Sequence, residues 1–184
     1  MGMYKSLGLI LLVLLVSGAP RKLVKKKISD GITASVPDDL YPMTPEDMAQ
    51  RFPSVRAPLG AFTNQDRLVD LSVNISATSW PDGDGEMAKE FFKASLINMY
   101  DKLDMINEGS YLLHKKKFYF FEFDSRVSGD RRRQGFQDPV MKYTYIQYHI
   151  APDRTLVFSF TCPKDLKEEW QPTAREVMKS VKVK

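Results

Sequence analysis

Two periodicities organise the chain beyond its first twenty residues. A period of two marks strands, and a period near 3.6 marks helices. Residues 68–77 alternate cleanly, with Val69, Leu71, Val73, Ile75 and Ala77 on one side and Asp70, Ser72, Asn74 and Ser76 on the other. That is the pattern of a half-buried strand. The segment 118–127, Phe-Tyr-Phe-Phe-Glu-Phe-Asp-Ser-Arg-Val, is the richest run of strand-forming residues. One strand-like segment precedes it and two follow, which predicts a central strand. Its Tyr119, Phe121, Phe123 and Val127 share a face, and Phe118, Phe120, Glu122, Asp124 and Arg126 share the other. In 141–150, Ile146, Tyr148 and Ile150 oppose Tyr143, Tyr145, Gln147 and His149. A hairpin turn at 151–154 leads into 155–161, with Leu156, Phe158 and Phe160 inward and Cys162 continuing that face. Further strands are expected at 28–36, 58–64 and 105–113, the last broken at Gly109. The first is either two short strands about Asp30-Gly31 or one bulged strand.

Three segments carry helical signals. Thr44-Pro45-Glu46-Asp47 has a capping residue, a proline suited to the first helical position, and acids suited to the positive end of the helix dipole. Residues 86–103 place Ala88, Phe91, Phe92, Ser95, Met99 and Leu103 on one stripe, which predicts a core face; a ligand groove is the alternative for the same Phe and Met content. Residues 164–181 close the chain, with Leu166, Trp170, Ala174, Val177, Met178 and Val181 as the apolar side and Pro172 as a bend or the end of a short first segment. On this reading Tyr119, Phe121 and Phe123 are core, clamped by both long helices. Strands, a long helix, a run of antiparallel strands and a helix make an α+β fold, a mainly antiparallel sheet flanked by helices.

Composition adds one domain and few chemistries. The chain has 184 residues, 43% hydrophobic and 27% charged, an ordinary globular balance. Net charge is +4 and the isoelectric point about 9.0. The basic runs at 25–27, 115–117 and 131–133 are short and far apart, so they read as solvated strand ends and loops, and nucleic acid is not an expected partner. A single cysteine, Cys162, excludes an intrachain disulfide and a cysteine-based zinc site. Two histidines exclude a multi-histidine metal site. There is no phosphate-cradling glycine loop and no nucleophile elbow, and Asp82-Gly83-Asp84-Gly85-Glu86 lacks calcium-loop spacing. No metal or cofactor is expected.

Lys5, the apolar run at 7–16 and Ser17-Gly18-Ala19 together have the layout of a secretory signal peptide over residues 1–19. The run is short for a bilayer span, and no cysteine at the junction would take a lipid anchor. The expected location is periplasmic or secreted, in a bacterium, with no membrane span once the signal is removed.

Several features together carry a resemblance. Ser35-Val36-Pro37-Asp38 ends an early strand, a long helix follows Trp80, and the hairpin 145–160 turns at Asp153-Arg154. The last helix then ends Met178-Lys179-Ser180-Val181. Over residues 28–184 the chain resembles the PsbP-like α/β/α sandwich superfamily, and looks especially like small secreted PsbP-like proteins of Bacteroidetes-type bacteria. The resemblance implies a non-enzymatic binding or assembly role toward a protein or an envelope component, and transfers no functional residue.

The candidate binding residues are Glu122, Asp124, Arg126, Tyr143, Tyr145 and His149 on the polar faces of the two aromatic strands, and the loop arginines Arg131, Arg132 and Arg133. The alternative function is a small hydrolase in which Glu122 or Asp124 works with His149. A third possibility is attraction of the basic clusters to anionic lipid or polysaccharide. The face on which the largest cavity lies discriminates the first two.

Overall fold

The computed structural model describes residues 21–53, 56–80, 84–128 and 139–184. Strands β1 (Leu23–Ser29) and β2 (Ile32–Pro37) form a hairpin, so the early segment is two strands. Their turn needs Gly31, whose φ is +77°. β3 (Tyr41–Pro42) leads into helix α1 (Pro45–Arg51). The Thr44 side chain accepts a hydrogen bond from the Asp47 backbone N–H, as the capping pattern predicts. β4 (Gly60–Thr63) and β5 (Asp70–Ile75) follow, then helix α2 (Gly85–Met99). Four long strands come next: β6 (Lys102–Leu113), β7 (Lys116–Val127), β8 (Val140–Ile150) and β9 (Thr155–Pro163). A single 3-10 turn leads into α3 (Lys167–Lys179), and β10 (Lys182–Val183) ends the chain.

Seven strands form one antiparallel sheet in the order β3-β4-β5-β9-β8-β7-β6, and β1-β2-β10 form a second, smaller one. β7 is thus an interior strand but lies next to the edge; β9 is the middle one. Gly109 does not break β6, which runs unbroken along β7 with an irregularity between Met105 and Asn107. The β6–β7 turn is His114-Lys115, both at positive φ (49° and 69°), as a two-residue hairpin turn requires.

The large sheet is covered unequally. One face packs on α3 and the small sheet, over a core of Ile32, Val36, Leu40, Leu71, Val73, Phe118, Tyr143, Leu156, Phe158, Phe160, Cys162, Trp170, Val177 and Met178. The other face carries a smaller cluster: Ala88, Phe92 and Leu96 of α2 on Phe121, Phe123 and Tyr148. Phe121 and Phe123 are core as predicted, but they face α2 alone. α3 covers the opposite face, because neighbouring residues of a strand point to opposite sides. Gly85 lets α2 seat: a Cβ there would come within 1.9 Å of the Tyr119 hydroxyl. Among the described residues, no helix is long and apolar enough to cross a membrane.

Candidate functional site

The polar residues singled out in the sequence lie mostly inside the protein. Glu122, Asp124, Tyr143, Tyr145 and His149 are all buried, whereas Arg126 is exposed; residues 131–133 lie outside the described residues. Glu122 is 0% exposed and saturated with donors. Its Oε1 accepts from Tyr143 Oη at 2.8 Å and Gln171 Nε2 at 2.6 Å, and Arg175 reaches both its oxygens at 3.0 Å. The two α3 donors sit at 171 and 175, one helical turn apart and on one face. Burial, then the hydrogen bond to Glu122, drives the Tyr143 hydroxyl far above the ordinary tyrosine range, so it stays a proton donor. Asp124 pairs with Lys164 at 3.2 Å and Lys167 at 3.0 Å. Tyr111 donates to Gln147, whose amide donates to the Met178 carbonyl at 3.1 Å.

His149 stands apart from the carboxylates. Glu122 registers with Tyr145, four residues before His149 on β8, a separation of about 13 Å along the strand. His149 Nδ1 is 3.1 Å from the Lys117 carbonyl, and the ring stacks on Phe118 at 5.0 Å. Acid–base chemistry through this pair is therefore not assembled. Desolvation lowers the His149 pKa below its ordinary 6.5, with the Lys117 carbonyl acting the other way. The unfolded chain then takes up the proton first as pH falls. Full stability is expected above about pH 6.5, declining below it by at most about 1.4 kcal/mol per pH unit. Urea titrations at pH 7.5 and 5.0 test this: His149→Phe should flatten the dependence, and an unchanged slope would remove His149 as its source.

A large cavity lies on the opposite face. It is a groove of about 720 Å³ beside α2. Its floor is the part of the sheet that α2 leaves uncovered: Ser125 of β7, Thr144 and Ile146 of β8, and Val157, Ser159 and Thr161 of β9. Register explains the hollow. Phe121, Ile146, Ser159 and Ser72 form one cross-strand row, and Phe123, Thr144, Thr161 and Asp70 the next. Large side chains therefore lie under α2 and give way to small ones beyond it. Across the sheet, Arg51 of α1 hydrogen-bonds Thr63 Oγ1 at 3.2 Å and Asp70 Oδ1 at 2.5 Å, closing the far end of that face.

The rim is apolar. Phe91 is 44% exposed and Met99 66%, and Val127 and Val140 are exposed across from them. This corrects the expected core stripe of α2. Ala88, Phe92 and Leu96 face the core, and Leu103 belongs to β6, while Phe91, Ser95 and Met99 line the groove. The groove residues of β8 and β9 occupy the strand face opposite Tyr143 and Phe158. Their signal in the sequence is small side chains at alternate positions (Thr144, Ser159, Thr161).

A smaller hollow of about 410 Å³ borders Tyr111, Phe120, Glu122, Tyr145, Arg175 and Lys179 on the α3 side. It exposes the ion pair's edge, but Glu122 has no free lone pair to offer there. Among the described residues, no three His, Cys, Asp or Glu side chains group as a metal site.

The architecture is that of a PsbP/Mog1-like α/β/α sandwich. The chain is similar to cyanobacterial PsbP (CyanoP) of Synechocystis sp. PCC 6803, at 14% identity and a TM-score of 0.60, over 91% of this chain and 96% of that one. It is also similar to the Ran-binding protein Mog1p of Saccharomyces cerevisiae, at 11% identity and a TM-score of 0.51, over 89% and 96%. At such identities the likeness establishes the fold alone. No family model and no curated protein sequence matches the chain.

Proposed function

We propose that this chain is a non-catalytic binding module of the bacterial envelope or its exterior, and that the groove beside α2 is its binding site. The observation that carries this is the exposed Phe91, Met99, Val127 and Val140 around one 720 Å³ cavity. Exposed apolar side chains gathered at a concave site mark a ligand or partner surface. The signal-like segment at 1–19 supports the extracytoplasmic location. Mog1p, one fold neighbour, is a Ran-binding protein, so this scaffold serves binding there.

Photo-crosslinking in intact cells tests the site. With p-benzoylphenylalanine at Ser95 or Thr161, irradiation is expected to give adducts. At Glu168 or Glu176, exposed on α3, it is expected to give none. Adducts confined to the α3 positions would overturn the assignment, as would equal yields at all four.

A further inference from the structure

We propose that the groove takes the chain of a long-chain fatty-acid anion, with its carboxylate at Lys142. This rests on the groove being the binding site and names the chemistry it recognises. Five hydroxyl groups of the lining, those of Ser76, Ser95, Ser125, Thr144 and Thr161, are already in hydrogen bonds. Ser95 Oγ donates to the Phe91 carbonyl at 2.8 Å, and Ser76 Oγ accepts from the Thr78 backbone N–H at 3.1 Å. Ser125 Oγ donates to the Lys142 carbonyl at 3.5 Å, and Thr144 Oγ1 donates to Thr161 Oγ1 at 3.3 Å. A surface that looks half polar in composition thus offers fewer hydrogen bonds than its composition suggests. A sugar or an extended peptide would leave its own polar groups unpaired there, at about 1–3 kcal/mol each. A hydrocarbon chain has none to lose, and Phe92, Leu96, Ile146 and Val157 give it apolar contact.

Charge selects the headgroup. Lys142 is the one charged side chain in the lining, it is exposed, and it has no ion-pair partner among the described residues. It lies second, next to the rim residue Val140, in the β8 row Val140, Lys142, Thr144, Ile146, Tyr148. From Lys142 to Tyr148 the strand runs about 20 Å at 3.4 Å per residue, the length of an extended palmitoyl chain.

Trp80 provides the readout, since its ring packs on Phe91 at 5.5 Å and Phe92 at 6.3 Å beside the groove. Palmitate titrated into the purified full-length chain is expected to change tryptophan emission saturably, at one ligand per chain. Hexadecan-1-ol, with the same chain and no charge, should bind about fivefold more weakly, the size of an exposed charge contact. Lys142→Glu should weaken palmitate about tenfold and leave hexadecan-1-ol unchanged, and Ser159→Phe should block both. Three results would overturn the proposal: palmitate binding no tighter than the alcohol, palmitate indifferent to Lys142→Glu, or a helical Leu-Ala peptide binding where palmitate does not. If palmitate fails while Ser159→Phe still abolishes crosslinks from Ser95 in cells, the fatty-acid assignment falls and the groove remains the binding site. If Ser95 gives no groove-specific crosslinks, the binding site itself falls.

Discussion

Arg175→Ala is expected to destabilise the protein by about 3 kcal/mol, the lower end of the cost of removing one partner from a buried ion pair. The damage lies with the group left behind. Glu122 is fully buried in the middle of β7, and among the described residues Arg175 is its only cationic partner. Gln171 and Tyr143 would still donate to it, but neither carries charge. The guanidinium is 44% exposed and rehydrates when freed, so its own contribution is screened and small. At about 2–4 °C per kcal/mol for a chain of this size, the melting temperature should fall by about 6–12 °C. Urea midpoints measured with an unchanged slope check it. A loss under about 1 kcal/mol would show that Glu122 does not depend on Arg175.

The same physics predicts that the cluster can be removed together, leaving only the half-buried Gln171 amide to turn to water. Glu122→Leu with Tyr143→Phe and Arg175→Met takes away the charge, its countercharge and the hydroxyl that would be orphaned. Apolar replacement of a complete buried network is often neutral or stabilising, so the triple variant should return to within about 1 kcal/mol of the parent. The cluster then serves to position α3. Gln171 and Arg175 meet Glu122 in one rotation of the helix, whereas an apolar stripe alone would tolerate others. This is why the carboxylate, tyrosines and histidine found by alternation turned out to be internal. Alternation shows which residues share a face, and α3 reaches that face only through the fold.

The strands and their inward faces were legible because each has the period of a half-buried strand: Leu156, Phe158, Phe160 and Cys162 all point into the core. The hairpin at Asp30-Gly31 was legible as one of two readings and the Thr44 cap outright, both for local reasons, positive φ at glycine and a hydroxyl three residues before a free N–H. The groove was not. It exists because a seven-stranded sheet has one face shared between a short α1 and a single long α2. Neither the coverage of a sheet nor the row Phe123, Thr144, Thr161, Asp70 can be read before the strand order is known. β10 was missed for a similar reason: two residues, Lys182 and Val183, carry no period, and only Thr33 and Ile32 of β2 make them a strand.

Phe91 and Phe92 put that difference on adjacent residues, and their alanine variants should separate cleanly. Phe92 is 5% exposed, stacks on Tyr148 with centroids 4.0 Å apart, and is the largest of the few buried side chains that hold α2 to the sheet. Phe92→Ala should cost about 3–5 kcal/mol through lost transfer energy and the cavity left behind. Because α2 has so few anchors, its amides should lose hydrogen-exchange protection before those of β8 and β9. Phe91 lies 100° around the helix, in the same i to i+4 row as Ser95 and Met99, whereas Ala88, Phe92 and Leu96 form the row beside it. The single stripe expected from the sequence merged these two rows; only the tilt of α2 on the sheet decides which is core. Phe91→Ala should therefore cost less than about 1 kcal/mol of stability, chiefly its edge contact with Trp80. Ligand affinity in the groove should fall about tenfold, as expected for an aromatic anchor at a binding site. Equal losses of stability in the two variants would mean that Phe91 is core after all, and the groove would lose its rim.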